Sequence, residues 1–250
     1  MKLLIDLGNS RLKWALWDGT QLQRGSTLKH VATAAGEEVD FAALWRDVQP
    51  PLAIWVASVA ATALEQALGR SLSEHFVCPI RYARSPAAAC GVRNAYSAPA
   101  RLGIDRFLGL VEVHAQMQTA TVVVSCGTAL TLDAIGADGR HLGGLIAPAP
   151  ALMRSALLDH TARLGDLQSA QIVDFADTTA AAVESGTWLA AVALVERFAA
   201  RAGAALGTPP VIVLAGGGAK RLASLLELEH RIEPDLVLRG LARFADSGGA

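Results

Sequence analysis

The sequence of 250 residues contains one short plan written twice, and that repeat constrains the fold more than any single motif. Residues 2–22 run as apolar strand, glycine turn, strand, Asp-Gly and strand: Leu3-Leu4-Ile5-Asp6, Gly8-Asn9-Ser10, Leu12-Lys13-Trp14-Ala15, Asp18-Gly19, Leu22. Residues 121–142 repeat it with Val122-Val123-Val124-Ser125, Gly127-Thr128, Leu130-Thr131-Leu132-Asp133, Asp138-Gly139 and Leu142. Gly8 aligns with Gly127 and Asn9 with Thr128, and an insertion of one residue brings Asp18-Gly19 onto Asp138-Gly139. Asp-Gly between apolar runs signals a type I′ hairpin. Two related halves, each presenting a glycine turn, predict a duplicated domain that holds phosphate in the cleft between them.

The first turn carries the chemistry that a triphosphate needs. A glycine lets backbone amides approach an anion without a side chain in the way. Asn9 and Ser10 add donors, and Lys13 adds a positive charge. Asp6, at the strand end, can hold a hydrated magnesium ion, a hard cation that takes oxygen ligands. The same residues also suit a plain hairpin corner with an Asx-type turn. A second site is Gly103-Ile104-Asp105-Arg106, which opens a helix whose exposed amides and positive dipole end favour an anion. A carboxylate there can accept a hydroxyl proton, and a guanidinium can hold a carboxylate or a transferring phosphoryl group. An ordinary helix-entrance acid paired with its arginine neighbour would look the same.

Composition narrows the class. Just over half the residues are apolar and the net charge is −1, so bulk electrostatics give no reason to expect a nucleic-acid or membrane surface. No stretch reaches the ~18 apolar residues of a membrane helix. The apolar run after Lys2 is too short for a signal peptide. Cys78, Cys90 and Cys126 show no Cys-x-x-Cys spacing, which predicts buried reduced thiols, a cytoplasmic location and no zinc site.

Strands are expected at 2–6, 11–17, 21–27, 53–57 and 75–78, with helices at 38–48 and 60–73. Residues 83–100 are irregular, and a loop of that length is usually functional. A helix from about 101 to 118 holds the boundary between domains 1–115 and 116–250. The second half predicts strands at 121–125, 129–135, 141–147 and 211–214, a last strand near 235–238, and helices at 149–158 and 178–203. Another helix follows Gly216-Gly217-Gly218, a run that suits the floor of an adenosine pocket yet lacks the Lys-Ser/Thr ending of a P-loop. Thr178-Thr179 sit where a helix cap is expected. Tyr96 reads as either a substrate wall or a loop anchor. The five tryptophans are assigned mostly to the core.

In order and spacing, Asp6-x-Gly8-Asn9-Ser10, Gly103-x-Asp105-Arg106, Gly127-Thr128-Ala129 and Thr179-x-x-Ala182-Val183-x-x-Gly186 resemble the motifs of type III pantothenate kinases. Gly216-Gly217 after its strand fits too, and the likeness runs from residue 2 to about 220. The resemblance implies an α/β fold of the acetate-and-sugar-kinase/actin type: two ribonuclease-H-like halves with ATP in the interdomain cleft. It implies transfer of the γ-phosphoryl group of ATP to pantothenate, the first step toward coenzyme A. Carried over by position, Asp6, Leu7, Gly8, Asn9, Ser10, Arg11, Leu12 and Lys13 form the ATP phosphate loop, and Thr128 is a further phosphate contact. Tyr96, Gly103, Ile104, Asp105, Arg106 and Thr179 form the pantothenate site, with Asp105 as general base. Also implied are Mg2+, for which Asp6 is the candidate ligand, a monovalent cation (K+ or NH4+), and a homodimer whose partner subunit completes the substrate pocket. One position departs from the pattern. Where the family usually carries an aspartate that helps bind potassium, this chain has Ser125, which predicts a weakened or absent monovalent-cation site. A non-catalytic regulatory or accessory relative using the same cleft, and another small-molecule kinase, are the competing readings.

Overall fold

Alternating apolar runs become two sheets of identical plan. The computed structural model describes residues 1–30, 39–160, 168 and 170–249. In it β1 (Lys2–Leu7), β2 (Arg11–Trp17) and β3 (Leu22–Lys29) form an antiparallel meander. β4 (Ala53–Ser58) and β5 (Ile80–Tyr82) extend it in parallel, giving the order β3-β2-β1-β4-β5. Parallel pairing needs a crossover, and α1 (Thr62–His75) supplies it, burying Leu68 and Leu72 on the sheet. A short hairpin of β6 (Ala88–Ala89) and β7 (Val92–Arg93) then leads to α2 (Ile104–Met117).

The second sheet comprises β8 (Thr121–Cys126), β9 (Ala129–Ile135), β10 (His141–Pro148), β11 (Val211–Ala215) and β12 (His230–Ile232) in the order β10-β9-β8-β11-β12. Its helices are α3 (Pro150–His160), α4 (Thr179–Leu206) and the short α5 (Ala219–Ala223). Strand for strand, with the same parallel and antiparallel senses, this is the first sheet again. The likeness reaches single hydrogen bonds. The His30 amide, just past β3, donates to the Ser10 carbonyl at 3.1 Å, as the Ala149 amide, just past β10, donates to Thr128 at 3.3 Å. The ribonuclease-H-like plan implied by the resemblance is present in each sheet.

Two compact units result, residues 1–116 with 235–250 and residues 117–234. The halves expected at 1–115 and 116–250 differ from these units at the C-terminus. There α6 (Leu236–Asp246) packs on the first sheet through Leu236, Leu238, Leu241 and Phe244. Phe244 meets Trp55 and Phe107 edge-to-face, at 6.1 and 6.4 Å between centroids. Asp246 binds Lys2 at 2.6 Å and the Trp17 indole at 2.9 Å, and Arg243 reaches buried Glu112 at 2.6 Å. The strand expected near 235–238 is therefore helix: the Leu-Val-Leu start mimics a strand, but the apolar spacing continues with helical period to Phe244.

Other local expectations shift. Residue 38 lies outside the described residues, and 39–48 hold one 3₁₀ turn at Ala42–Leu44 rather than a helix. That turn already buries Phe41 and Trp45, and Pro50-Pro51 blocks extension. The strand expected at 75–78 lies at Ile80–Tyr82, because α1 runs on to His75. The helix after Gly216-Gly217-Gly218 has only five residues. Of the cysteines, all free, only Cys126 is fully buried. Of the tryptophans, Trp45 and Trp55 are fully buried, whereas Trp14, Trp17 and Trp188 are partly so.

Gly240 on α6 lies against the Leu108 carbonyl of α2, so closely that a Cβ would overlap backbone atoms. Overpacking costs roughly 1–3 kcal/mol, more than the ~1 kcal/mol that Ala gains over Gly in a helix. Gly240→Ala should therefore be less stable than wild type by up to about 2 kcal/mol in chemical denaturation; greater stability would contradict this packing.

Candidate active site

The first unit assembles its polar groups at the carboxyl ends of β1 and β4, where ligands bind in open α/β sheets. Asp6 is the fifth residue of a strand whose Leu3, Leu4 and Ile5 are fully buried. Across the antiparallel pair it faces Lys13, and across the parallel pair it faces Ala57. The turn between β1 and β2 closes with the Gly8 amide donating to the Arg11 carbonyl at 3.0 Å. That amide is therefore used within the turn. Leu7 and Leu12 are fully buried in the first core, so their side chains hold the loop rather than a ligand. Asn9, Ser10 and Arg11 are exposed.

Asp105 enters from the first turn of α2. Gly103 precedes the helix and its carbonyl accepts the Arg106 and Phe107 amides, each at 3.1 Å. The Asp105 carboxylate folds back over Gly103: a Cβ on that residue would stand 2.6 Å from Asp105 Oδ1. Only glycine leaves room for the acid in this position. Ile104 is buried and belongs to the core. Arg106, 8% exposed, donates from Nη1 to the Tyr96 hydroxyl at 3.0 Å and lies over the same ring at 5.8 Å. The two sequence-predicted substrate residues thus form one unit.

Asn94, which sequence reasoning missed, builds the loop that presents Tyr96. Its Oδ1 accepts the Tyr96 amide at 3.0 Å, and its Nδ2 donates to the Pro86 and Pro99 carbonyls at 3.1 and 3.2 Å. An Asx residue between two prolines was the available signal. The loop begins with a tight hairpin whose corner residues Cys90 and Gly91 both have positive φ, 50° and 81°.

Asp6 and Asp105 lie within electrostatic reach of each other. Burial first, and the Asp105 charge second, push the Asp6 carboxyl up to about 7 from 3.8, with Lys13 working weakly the other way. A carboxylate so disfavoured is what a bound cation relieves. Among the described residues no group of three or more His, Cys, Asp or Glu side chains can hold a metal by itself. The donor set therefore suits magnesium, which binds through one or two carboxylates, water and phosphate oxygens.

In the second unit, Ser125 occupies the register of Asp6, paired with Thr131 and Ala215. No carboxylate stands beside it in that register. Asp133, the acid nearest along β9, is buried and bound to His141 at 2.9 Å. These residues do not fit a charged cation site. Thr128 is exposed in its turn, and Gly127 closes that turn onto Ala129 at 2.9 Å. Gly216, at φ 87°, and Gly218 pack on Cys126, where added Cβ atoms would meet its carbonyl and its sulfur at 2.5 Å. Both glycines thus make room for Cys126 beside the second glycine turn. Thr178 caps α4 through Ala181 at 3.3 Å, and Thr179 is its exposed first residue.

With the native carboxyl near 7 and the unfolded one near 3.8, the folded state holds the proton more tightly, and stability falls as pH rises between those values. Asp6→Asn removes this dependence. In metal- and nucleotide-free protein, its stability relative to wild type should increase from about pH 4 to about pH 8 in denaturant titrations; a constant difference would refute the raised value.

Comparison with known proteins agrees with this geometry. A sequence profile described as type III pantothenate kinase matches residues 2–201. A type III pantothenate kinase of Xanthomonas campestris pv. campestris is 41% identical, covering 99% of this chain and 98% of that one. Among solved structures, a putative Baf family transcriptional activator from Campylobacter jejuni superposes with TM-score 0.64 at 20% identity, covering 99% of this chain and all of that one. A putative 2-dehydro-3-deoxygalactonokinase from Sinorhizobium meliloti does so with TM-score 0.56 at 15% identity, covering 98% and 99%. At such identities the structural likeness speaks for the fold alone, a duplicated α/β fold.

Proposed function

The chain belongs to the type III pantothenate kinase family, and we propose that the paired carboxylates of its first unit carry the reaction, with Asp105 as the base. The enzyme moves the γ-phosphoryl group of ATP to the primary hydroxyl of pantothenate, giving 4'-phosphopantothenate, the first step of coenzyme A biosynthesis. The observation that supports these roles is the Asp6–Asp105 pair, two carboxylates close enough to perturb each other at the carboxyl end of β1.

Phosphoryl transfer needs alignment and charge neutralisation more than covalent help. Asp105 accepts the proton of the attacking hydroxyl. The hydroxyl oxygen forms its bond to the γ-phosphorus, and the bond from phosphorus to the bridging oxygen breaks, releasing ADP. Lys13, with the donors of Asn9 and Ser10, neutralises the triphosphate, and Thr128 contributes from the second unit. Asp6 would hold Mg2+, whose contribution when bound is further neutralisation of the phosphates. Arg106 carries five N–H donors, of which Tyr96 takes one; with Tyr96 it forms the wall for the substrate's carboxylate end. Position in the family's motif assigns Thr179 a role in binding pantothenate. The regulatory alternative finds no support in the residues, since Asp6, Asp105 and Arg106 are all in place.

A homodimer suits the second unit. Edge strand β10 exposes Leu145 and Ile146, and α3 exposes Leu152 and Leu157, an apolar surface that a second copy would cover. The proposed setting is the cytoplasm, which three free cysteines suit; among the described residues no helix is long and apolar enough to cross a membrane.

The decisive measurement is pantothenate-dependent ADP formation by the purified protein. Asp105→Asn should keep its fold and ATP binding while turnover falls ~10²–10⁴-fold, and near-wild-type turnover would remove Asp105 from the mechanism. With a hydroxyl at position 125, activity should differ little among potassium, ammonium and sodium. Steep activation by potassium would show that a charged site has been rebuilt elsewhere.

A further inference from the structure

We propose that Asn94 is a positioning residue for pantothenate: by clamping the 86–99 loop around one side-chain amide, it holds the Tyr96–Arg106 wall in shape and sets that wall's grip on the substrate. The proposal rests on the reading of Tyr96 and Arg106 as the wall for the substrate's carboxylate end. Both ends of the Asn94 amide are engaged. Its Oδ1 accepts the Tyr96 amide at 3.0 Å, and its Nδ2 donates to the Pro86 and Pro99 carbonyls at 3.1 and 3.2 Å. The Asn94 main-chain amide donates in turn to the Ala87 carbonyl at 2.9 Å. One side chain thus ties the two ends of the loop to each other and to Tyr96 between them.

These contacts close into a ring. The Pro99 carbonyl also accepts the Leu102 amide at 3.1 Å, in the 3₁₀ turn Pro99–Arg101 that leads into α2. From α2, Arg106 Nη1 returns to the Tyr96 hydroxyl at 3.0 Å. Asn94 therefore fixes Tyr96 at its main chain and Arg106 fixes it at its hydroxyl, and both anchors lead back to the same turn. The second half of the chain shows that the fold itself does not require so long a loop. There β12 passes to α6 through residues 233–235, whereas β5 passes to α2 through residues 83–103. Val92 is fully buried, but Ala95, Ser97 and Ala98 around Tyr96 are exposed, so apolar burial does little to order this stretch. Chain entropy opposes its ordering. Three hydrogen bonds from one planar amide offset part of that cost before substrate arrives, which is how preorganisation raises affinity.

The test measures KM for pantothenate, KM for ATP, kcat and thermal midpoint for Asn94→Asp, Asn94→Ala, Tyr96→Ala and the double variant Asn94→Ala/Tyr96→Ala. Asn94→Asp keeps the acceptor for the Tyr96 amide but turns a carboxylate oxygen toward the two proline carbonyls. Asn94→Ala removes all three side-chain bonds without adding charge. Each should raise KM for pantothenate about 3- to 10-fold, with KM for ATP unchanged and kcat changed much less. Because Asn94 acts through Tyr96, the double variant should have the same KM for pantothenate as Tyr96→Ala alone. Effects that multiply in the double variant would overturn the proposal, as would a raised KM in Asn94→Asp only, which reports the added charge. Unchanged KM for pantothenate in both Asn94 variants, with a raised value in Tyr96→Ala, would overturn the role of Asn94 and leave the wall standing. An unchanged value in Tyr96→Ala would overturn the wall and this inference with it. A parallel rise of both KM values with a lowered midpoint, or failure of both Asn94 variants to fold, would reduce Asn94 to a packing residue.

Discussion

Strand β1 is held between an antiparallel neighbour and a parallel one, and the position of the chemistry follows from that double pairing. Antiparallel pairing with β2 turns the chain back at Gly8 and sets Lys13 opposite Asp6. Parallel pairing with β4 brings the two carboxyl ends side by side, and the Val59 amide that leaves β4 bonds the Leu7 carbonyl at 3.1 Å. Asp6 can neither withdraw into the core, which is filled by Leu3, Ile5 and Leu7, nor move away from the strand end. A half-buried carboxylate beside a second carboxylate is unfavourable. A cation bound there would relieve it, which is the relation between stability and function expected of an active site.

The two halves share one topology and divide the labour. Where the first places Asp6, Lys13 and His30, the second places Ser125, Thr131 and Ala149 at equivalent positions. The fold therefore does not by itself make a catalytic centre. What distinguishes the first unit is the chain inserted after β5. The Asn94 hub, the Tyr96–Arg106 contact and the Gly103 vacancy together bring an acid from a helix start to the end of a strand. Each of these is local hydrogen bonding or sterics, and each would fail with one changed atom.

Much of this was legible in the residues. The repeat predicted two sheets of one plan because Asp-Gly turns and alternating apolar runs act locally, and the ordered motifs around Gly8, Gly103, Gly127 and Thr179 pointed to the right family. The glycines carried less. Gly8, Gly216 and Gly218 read as space for a ligand, and the structure adds that the Gly8 amide closes its own turn and that the other two make room for Cys126. A sequence shows that a side chain is missing and is silent on what fills the gap. Likewise Leu7, Leu12 and Ile104 stand inside functional motifs while their side chains serve the core.

The sequence by itself determined the duplication, the strand-turn-strand units and the family. All of these rest on short-range patterns, readable within a few residues. Only the tertiary structure decided that α6 returns to the first sheet, that Asp105 reaches the field of Asp6, that Arg106 is turned toward Tyr96, and that the His30 amide bonds the Ser10 carbonyl. Those contacts join residues distant along the chain, α6 and β1 being the extreme case. Their energies depend on which surfaces are left to bury and which charges share a low-dielectric site, quantities that exist only after the chain has folded.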